Sequence, residues 1–183
     1  LAIGQGEILV TPVQLAVCTG AIATGLLVKP RIAHFMTNPS TGEVRKVVGE
    51  YRPVKLSSWT LQRLREAMRR VVNEPGGTAY RQRRDDIVIA GKTGTAQNPH
   101  GEDHALFIAY APLDDPIVVG VAVVEKGGHG SSVAAPIVCQ LIEYYLYDLY
   151  PGPRPPYGKA GDQISHQSQD ELQGIGVNGE LIE

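Results

Sequence analysis

The pattern of hydrophobic and polar positions predicts a first helix at residues 11–25, TPVQLAVCTGAIATG. Thr11 fits the N-cap, Pro12 fits the first helical position, and Gln14 completes a T-x-x-Q capping box. Gly25 is the stop signal. The sequence therefore contains both a start signal and a stop signal for this helix.

Two further stretches have helical periodicity. One runs from about Ser58 to Asn73, with arginines on the face opposite the apolar one. The other follows the glycine-rich GGHGSS, extends from about Ser132 to Tyr150, and is rich in apolar and tyrosine residues. The apolar positions of the first stretch are Leu61, Leu64, Met68, Val71 and Val72.

Strands are predicted in two groups. LLVKPRIAHFMT (26–37) and EVRKVV (43–48) flank the turn-rich NPSTG and predict an antiparallel pair. DIVIAGKTGTAQ (86–97), HALFIAYA (104–111) and IVVGVAVVE (117–125) predict three more strands, the last two joined by PLDDP as a hairpin. With such short connections, we expect an α/β fold of the α+β type, in which helices cover an antiparallel sheet.

The domain organisation follows from where this patterning stops. Residues 1–150 are patterned throughout and predict part of one domain, whereas residues 151–183 are rich in Pro, Gly, Gln and Ser and predict a disordered C-terminal tail. The chain opens on patterned sequence without a methionine. We therefore expect it to be a piece of a longer protein.

Composition and charge exclude several classes of partner. The chain has 183 residues, 43% of them hydrophobic, which supports a core. Its 17 basic and 19 acidic residues give a net charge of −2, and this balance offers no electrostatic reason to expect nucleic acid as a partner.

Cys18 and Cys139 form neither a disulfide framework nor a C-x-x-C metal pair. No signal peptide or apolar run of about 18 residues is present.

The stretch AGKTGTAQ, residues 90–97, carries the candidate chemistry. A phosphate-binding loop would need G-x-x-x-x-G-K-[ST] at the start of a helix, but Asp86 stands where its first glycine belongs, and GTAQNPHG does not predict a helix. The alternative is a strand edge that binds a carboxylate. Alternation then places Thr93, Thr95 and Gln97 on one face, and Gly94 removes a side chain that would keep a ligand off the backbone.

Lys92 completes this hypothesis. Two hydroxyls and a nearby ammonium suit a carboxylate, and an exposed strand N–H can stabilise an oxyanion. K-T-G, which spans Lys92 to Gly94, is a signature of penicillin-binding proteins and β-lactamases, where it accompanies S-x-x-K and S-D-N.

Other stretches strengthen the match. AIGQGEILVTPVQLAVCTGAIATG, PGGTAY and DHALFIAYAPLDDPIVVGVAVVEKGGHGSSVAAP resemble, in order and spacing, the segments that surround K-T-G in class B penicillin-binding proteins. The resemblance covers residues 1–150 and is greatest to the penicillin-binding protein 2 type, the elongation-type peptidoglycan D,D-transpeptidases. It implies the C-terminal part of a penicillin-binding-protein/β-lactamase-like transpeptidase fold.

The resemblance also implies roles for individual residues. Lys92 would assist substrate binding and proton transfer near the active-site serines. The hydroxyls of Thr93 and Thr95 would bind the C-terminal carboxylate of a D-Ala-D-Ala stem peptide or of a β-lactam. The backbone N–H of Thr95 would be one arm of the oxyanion hole, and Gly94 would permit close approach of substrate. Neither a cofactor nor a metal is implied.

One element of the family pattern is absent from the sequence. No serine is followed by lysine at the third position, and no S-x-N occurs. An acyl-transfer enzyme needs its nucleophile, so we expect this chain to be inactive alone. The resemblance implies that the serine lies upstream with an N-terminal transmembrane anchor, that the protein is at the extracytoplasmic face of the bacterial inner membrane, and that its partners include cell-elongation proteins.

Several alternatives remain open at this point. A β-lactamase or D,D-carboxypeptidase fragment shares K-T-G, but IGQG…TPVQLA argues against it. A non-catalytic penicillin-sensing module and a phosphate-loop protein are the others. HGEDH, residues 100–104, contains metal-ligand residue types, but a polar loop between strands with His104 beginning the next strand is the favoured interpretation. GGHG is interpreted as a strand-to-helix turn, and its closeness to the K-T-G strand would put His129 or Ser131 near the substrate.

Overall fold

Residues 9–150 are described by a computed structural model, and within that range three α-helices and seven strands form. The IGQG motif and the predicted tail, residues 151–183, lie outside the described residues. In chain order the elements are α1 (Pro12–Thr24), β1 (Leu26–Val28), β2 (Phe35–Thr37), β3 (Val44–Lys46), β4 (Tyr51–Pro53), α2 (Ser58–Asn73), β5 (Ala90–Ala96), β6 (His104–Ala111), β7 (Val118–Val124) and α3 (Ala134–Tyr144).

The main sheet has the strand order β5-β6-β7 with both pairs antiparallel. On one face Ala105, Phe107 and Ala109 are fully buried in a core that includes residues of α3. On the other face Tyr110 packs with residues of α1 and α2, among them Met68. The prediction of an antiparallel sheet covered by helices is confirmed.

Local signals set the bounds of α1 as predicted. The Thr11 N–H donates to Gln14 Oε1 at 2.8 Å, and the Gln14 N–H donates to Thr11 Oγ1 at 3.2 Å. These reciprocal bonds satisfy N–H groups that have no partner within the helix. Gly25 ends α1 with φ at 81°, in the left-handed region that glycine adopts most readily.

Helix α2 spans the predicted residues, but only part of the predicted apolar face is buried, because Leu64 is 37% exposed and Val71 is half-buried. Leu61, Met68 and Val72 are buried on it, and Ser57 caps its start by accepting from the Thr60 N–H at 3.1 Å. Arg65 Nε donates to the carbonyl oxygen of Ile22 at 2.8 Å, which ties α2 to α1. The two helices are thereby held together on the same face of the sheet.

Ion pairs line the exposed face of α2. Arg69 donates to Glu66 at 2.7 Å and to Glu74 at 2.6 Å, and Arg70 donates to Glu66 at 2.8 Å. Hydrogen bonds from Arg69 and then Arg70 lower the pKa of Glu66 to about 2. Two of the arginines of α2, Arg69 and Arg70, therefore have acidic partners on the same surface.

The first long strand is shorter than predicted. β5 begins at Ala90, and residues 86–89 precede it. Extended by two residues, the register would place Val88 opposite Pro112, which has no N–H to donate, so the ladder cannot continue there. The Val88 carbonyl instead accepts from the Leu113 N–H at 3.0 Å. Predicting one strand over residues 86–97 was therefore wrong at its N-terminal end.

The small strands also differ from prediction in part. β2 and β3 pair around NPSTG as expected, with Met36 opposite Arg45. β1, predicted as part of the same strand as β2, instead pairs with β4, which was not predicted. Pro30 interrupts the run between β1 and β2 and cannot donate to a ladder.

The last predicted helix is confirmed, because α3 continues into a π-helical turn, Tyr145–Leu149. Its fully buried positions are Ala134, Ala135, Val138, Cys139 and Ile142. Among residues 9–150, no helix has the length and apolar character needed to span a bilayer.

Candidate active site

The K-T-G residues lie on β5, a strand at the edge of the main sheet. β6 pairs with one side of β5, and no strand within residues 9–150 pairs with the other. Because G-K-T lies inside a strand and does not begin a helix, the geometry of a phosphate loop is absent from this stretch. The described structure therefore favours a strand-edge site.

The register defines which way the side chains point. Thr93 is opposite Phe107, which is buried against α3, so Thr93 and Thr95 face the α3 side of the sheet. Lys92 is opposite Ile108, which packs with the α1 and α2 side. The threonines thus share a face as predicted, and the lysine starts from the other face.

The backbone of Gly94 points toward β6. A Cβ added to Gly130 would lie 2.3 Å from the Gly94 carbonyl oxygen and 2.2 Å from that of Leu106, its cross-strand partner. Both oxygens must therefore point into the gap between the strands. Because successive residues of a strand direct their polar groups to opposite sides, the N–H groups of Thr93 and Thr95 point to the unpaired edge.

The lysine reaches the same edge. Lys92 Nζ donates to the Thr93 carbonyl oxygen at 2.6 Å, and the Lys92 side chain is otherwise exposed. An ammonium, two hydroxyl side chains and outward-facing N–H groups consequently lie along one short stretch of strand. Such a set of donors is suited to a carboxylate and to an oxyanion.

Gly94 leaves space on a different side from the threonine hydroxyls. A Cβ added to it would lie 3.2 Å from Leu106 Cβ, on the α1 and α2 side. The absence of this Cβ thus keeps the Lys92 face of the strand clear next to Leu106.

Thr78 is a site residue that the sequence did not reveal. Its Oγ1 lies 2.8 Å from Thr93 Oγ1, within hydrogen-bond distance. Thr78 belongs to PGGTAY, which follows α2, and Asn73 at the end of α2 donates from Nδ2 to the Ile89 carbonyl oxygen at 2.8 Å. The G-T-A pattern was visible in the sequence, but its contact with β5 depends on how α2 packs.

The loop between β7 and α3 lies against the K-T-G strand. Gly128 donates to the Asp103 carbonyl oxygen at 2.8 Å, and the Lys126 N–H donates to His104 Nδ1 at 3.0 Å. His104 begins β6, as expected, and HGEDH residues anchor this loop. Residues 9–150 contain no group of three or more His, Cys, Asp or Glu that could hold a metal ion.

A cavity of about 310 Å³ adjoins Thr93 on the α3 side. PGGTAY, Arg81 and the turn that precedes α3 form its walls, and Ser131, which was predicted to lie near the substrate, is in the lining. His129 is in the same loop but is exposed and does not line the cavity. The lining residues are Thr78, Tyr80, Arg81, Ser131 and Ser132, with Gly76 and Gly77 at the rim.

Known proteins are similar to this chain in sequence and in fold. Residues 1–143 match the model of the penicillin binding protein transpeptidase domain. The peptidoglycan D,D-transpeptidase MrdA of Haemophilus influenzae is 32% identical over 173 residues, a match that covers 82% of this chain and 26% of that protein.

Solved structures agree with the sequence matches. Penicillin-binding protein 2 of Pseudomonas aeruginosa, in complex with WCK 5153, is 33% identical with a TM-score of 0.70, and the match covers 86% of this chain and 35% of that one. The complex between penicillin-binding protein 2 and MreC from Helicobacter pylori gives 35% identity and a TM-score of 0.62, covering 79% of this chain and 26% of that one.

Each of these matches covers most of this chain but only part of the relative. The chain spans between 26% and 35% of the length of the three relatives. The resemblance to class B penicillin-binding proteins is confirmed over most of the chain, including both the K-T-G strand and the G-T-A segment. The chain belongs to the penicillin-binding protein transpeptidase domain family.

Proposed function

We propose that this chain forms one wall of the active site of a longer peptidoglycan D,D-transpeptidase, with residues 1–150 as the C-terminal portion of its transpeptidase domain. The observation that carries the proposal is the edge of β5, with which no strand within residues 9–150 pairs and where the Lys92 ammonium, bonded to the Thr93 carbonyl oxygen, lies beside the N–H groups of Thr93 and Thr95. Family membership supplies the reaction class. The longer protein is called the full-length protein below.

The edge of β5 would bind the substrate through three kinds of donor. The hydroxyls of Thr93 and Thr95 would hold the C-terminal carboxylate of a D-Ala-D-Ala stem peptide or of a β-lactam. The Thr95 N–H would donate to the oxyanion, and one such donor contributes about 2.7–4 kcal/mol to transition-state stabilisation. Lys92 would attract the carboxylate and assist proton transfer among the serines of the missing motifs.

The reaction would have two acyl-transfer steps. A serine hydroxyl attacks the penultimate D-Ala carbonyl, the peptide C–N bond breaks, and D-Ala leaves as an amine that has received the serine proton. An amine of a neighbouring peptidoglycan strand then attacks the acyl-serine ester. The new C–N bond forms, the ester C–O bond breaks, and the amine proton returns to the serine oxygen.

We infer the setting of the full-length protein from the family to which the chain belongs. We place its nucleophilic serine and a transmembrane anchor in a preceding segment, and the catalytic domain at the extracytoplasmic face of the inner membrane. The relative that is solved in complex with MreC supports a partner in the cell-elongation machinery.

Fluorescent penicillin tests this function. We expect covalent labelling of the full-length protein and no labelling of the 183-residue chain alone, since no S-x-x-K occurs in it. The measurement is in-gel fluorescence after denaturation, and the control is the full-length protein with the S-x-x-K serine changed to alanine. Labelling of the chain alone, or an unlabelled full-length protein, would contradict the proposal.

A further inference from the structure

The cavity next to Thr93 has no part in the chemistry described so far. Four hydroxyl side chains, those of Thr78, Tyr80, Ser131 and Ser132, line it together with one guanidinium, that of Arg81. No acidic side chain is in this lining. The Ser132 hydroxyl donates to the His129 carbonyl oxygen at 3.2 Å, and Thr78 shares a hydrogen bond with Thr93. The cavity therefore presents hydroxyl groups beside one positive charge.

Arg81 differs from neighbouring arginines in having no carboxylate partner. Within residues 9–150 it forms neither an ion pair nor a side-chain hydrogen bond, whereas Arg83 pairs with Asp85 at 2.8 Å and Arg84 pairs with Glu143. Its backbone is nevertheless held in place, because it belongs to the 3₁₀ turn Tyr80–Gln82. A guanidinium on a fixed turn, available for a bidentate contact, is well suited to a carboxylate.

The position of the cavity along β5 indicates which part of a substrate it meets. The oxyanion donor is the Thr95 N–H. The hydroxyls that would bind the carboxylate extend from Thr95 to Thr93, about 7 Å back along the strand. Thr78 then lies 2.8 Å from Thr93, Oγ1 to Oγ1, and is itself part of the cavity wall. From the reacting carbonyl, the cavity thus lies in the direction of the leaving group and beyond its carboxylate.

The leaving-group side is also the side from which the second substrate arrives. Once D-Ala has left, the acceptor amine must approach the acyl-serine ester through the space that D-Ala vacated. Groups attached to that amine extend past Thr93 toward Arg81.

We propose that this cavity is a second carboxylate subsite, in which Arg81 and the surrounding hydroxyls bind an acidic group of the amine acceptor. The inference rests on the proposed function, because that function defines the leaving-group side. Arg81 is a positioning residue here: it holds the acceptor and takes no part in bond making.

Two acceptors that differ only in one group test the subsite. D-Glutamate and D-glutamine have the same α-amine and α-carboxylate, but the distal group is a carboxylate in the first and an amide in the second. We expect the full-length protein to bind D-glutamate about tenfold more tightly than D-glutamine, the size of one charge-assisted interaction. Ligand-observed NMR titration measures both affinities without requiring turnover.

Variants assign the preference to this cavity. Arg81→Ala should bring the ratio of the two affinities to about one, and Arg81→Lys should retain part of it because the charge remains. Arg83→Ala is the matched control and should keep the wild-type ratio. A wild-type ratio of one, or a tenfold ratio that survives Arg81→Ala, would overturn the subsite. Penicillin labelling of the same preparations reports separately on the proposed function.

Discussion

Lys92→Ala in the full-length protein is expected to lower the rate of acylation by fluorescent penicillin about 10²–10⁴-fold, the range of a lost proton-transfer group. Lys92 Nζ is held at the edge of β5 by the Thr93 carbonyl oxygen at 2.6 Å. Alanine removes both the charge that attracts the carboxylate and the amine that exchanges protons with the serines. Stopped-time labelling at several penicillin concentrations separates binding from the acylation step.

Two further variants define the role of Lys92. Lys92→Arg keeps a positive charge but does not deprotonate, so we expect it to restore binding more than rate. Lys46→Ala, at an exposed position of β3, is the control and should acylate at the wild-type rate. Wild-type acylation by Lys92→Ala would show that the lysine is outside the reacting centre.

Gly130→Ala is expected to have the second large effect, although residue 130 has no functional group. The added Cβ would lie 2.2 Å from the Leu106 carbonyl oxygen and 2.3 Å from that of Gly94. Both are backbone atoms in a hydrogen-bonded sheet, so the loop and β5 must separate. We expect a loss of about 1–3 kcal/mol in the free energy of unfolding. We also expect about 100-fold slower acylation, because Thr93 and Thr95 would be displaced by about 1 Å.

The control for this effect is a glycine with a yielding neighbour. A Cβ at Gly49 would lie 3.4 Å from Nη1 of Arg31, the end of a flexible side chain. Gly49→Ala should therefore leave both the melting temperature and the acylation rate close to wild type. If Gly130→Ala acylates as fast as the wild type, the loop does not position the K-T-G strand.

The sequence predicts the elements whose signals are local. Thr11 and Gln14 define the start of α1, and the spacing of Leu61, Met68 and Val72 defines the buried face of α2. In these cases a side chain within four residues, or a regular period, carries the information. Both helices accordingly begin and end where the pattern places them.

The pattern of hydrophobic and polar residues could not predict which strands pair over long distances in the chain. β1 pairs with β4, with Leu26 opposite Pro53, although residues 29–50 separate the two strands along the chain. In the same way, β5 starts at Ala90 because Val88 would be opposite Pro112. An apolar run such as residues 86–89 has the same appearance inside or outside a ladder.

The residues of the candidate site divide in the same way, into those with a local sequence signal and those placed by long-range packing. K-T-G identifies Lys92 and the threonines because the motif is contiguous. Thr78 and Arg81 could not be placed, because their nearness to Thr93 depends on the packing of α2 and on the turn at Tyr80–Gln82.

The central claim, that the edge of β5 binds the substrate carboxylate, is tested most directly at Thr93. Thr93→Val keeps the shape of the side chain and removes its hydroxyl. The full-length variant should therefore lose about 1.5–3 kcal/mol of transition-state binding, or about 10–150-fold in the second-order rate constant for acylation by penicillin. Thr93→Ser should restore most of it, and Thr37→Val, at an exposed position of β2, should change nothing. An unchanged rate constant for Thr93→Val would contradict the claim.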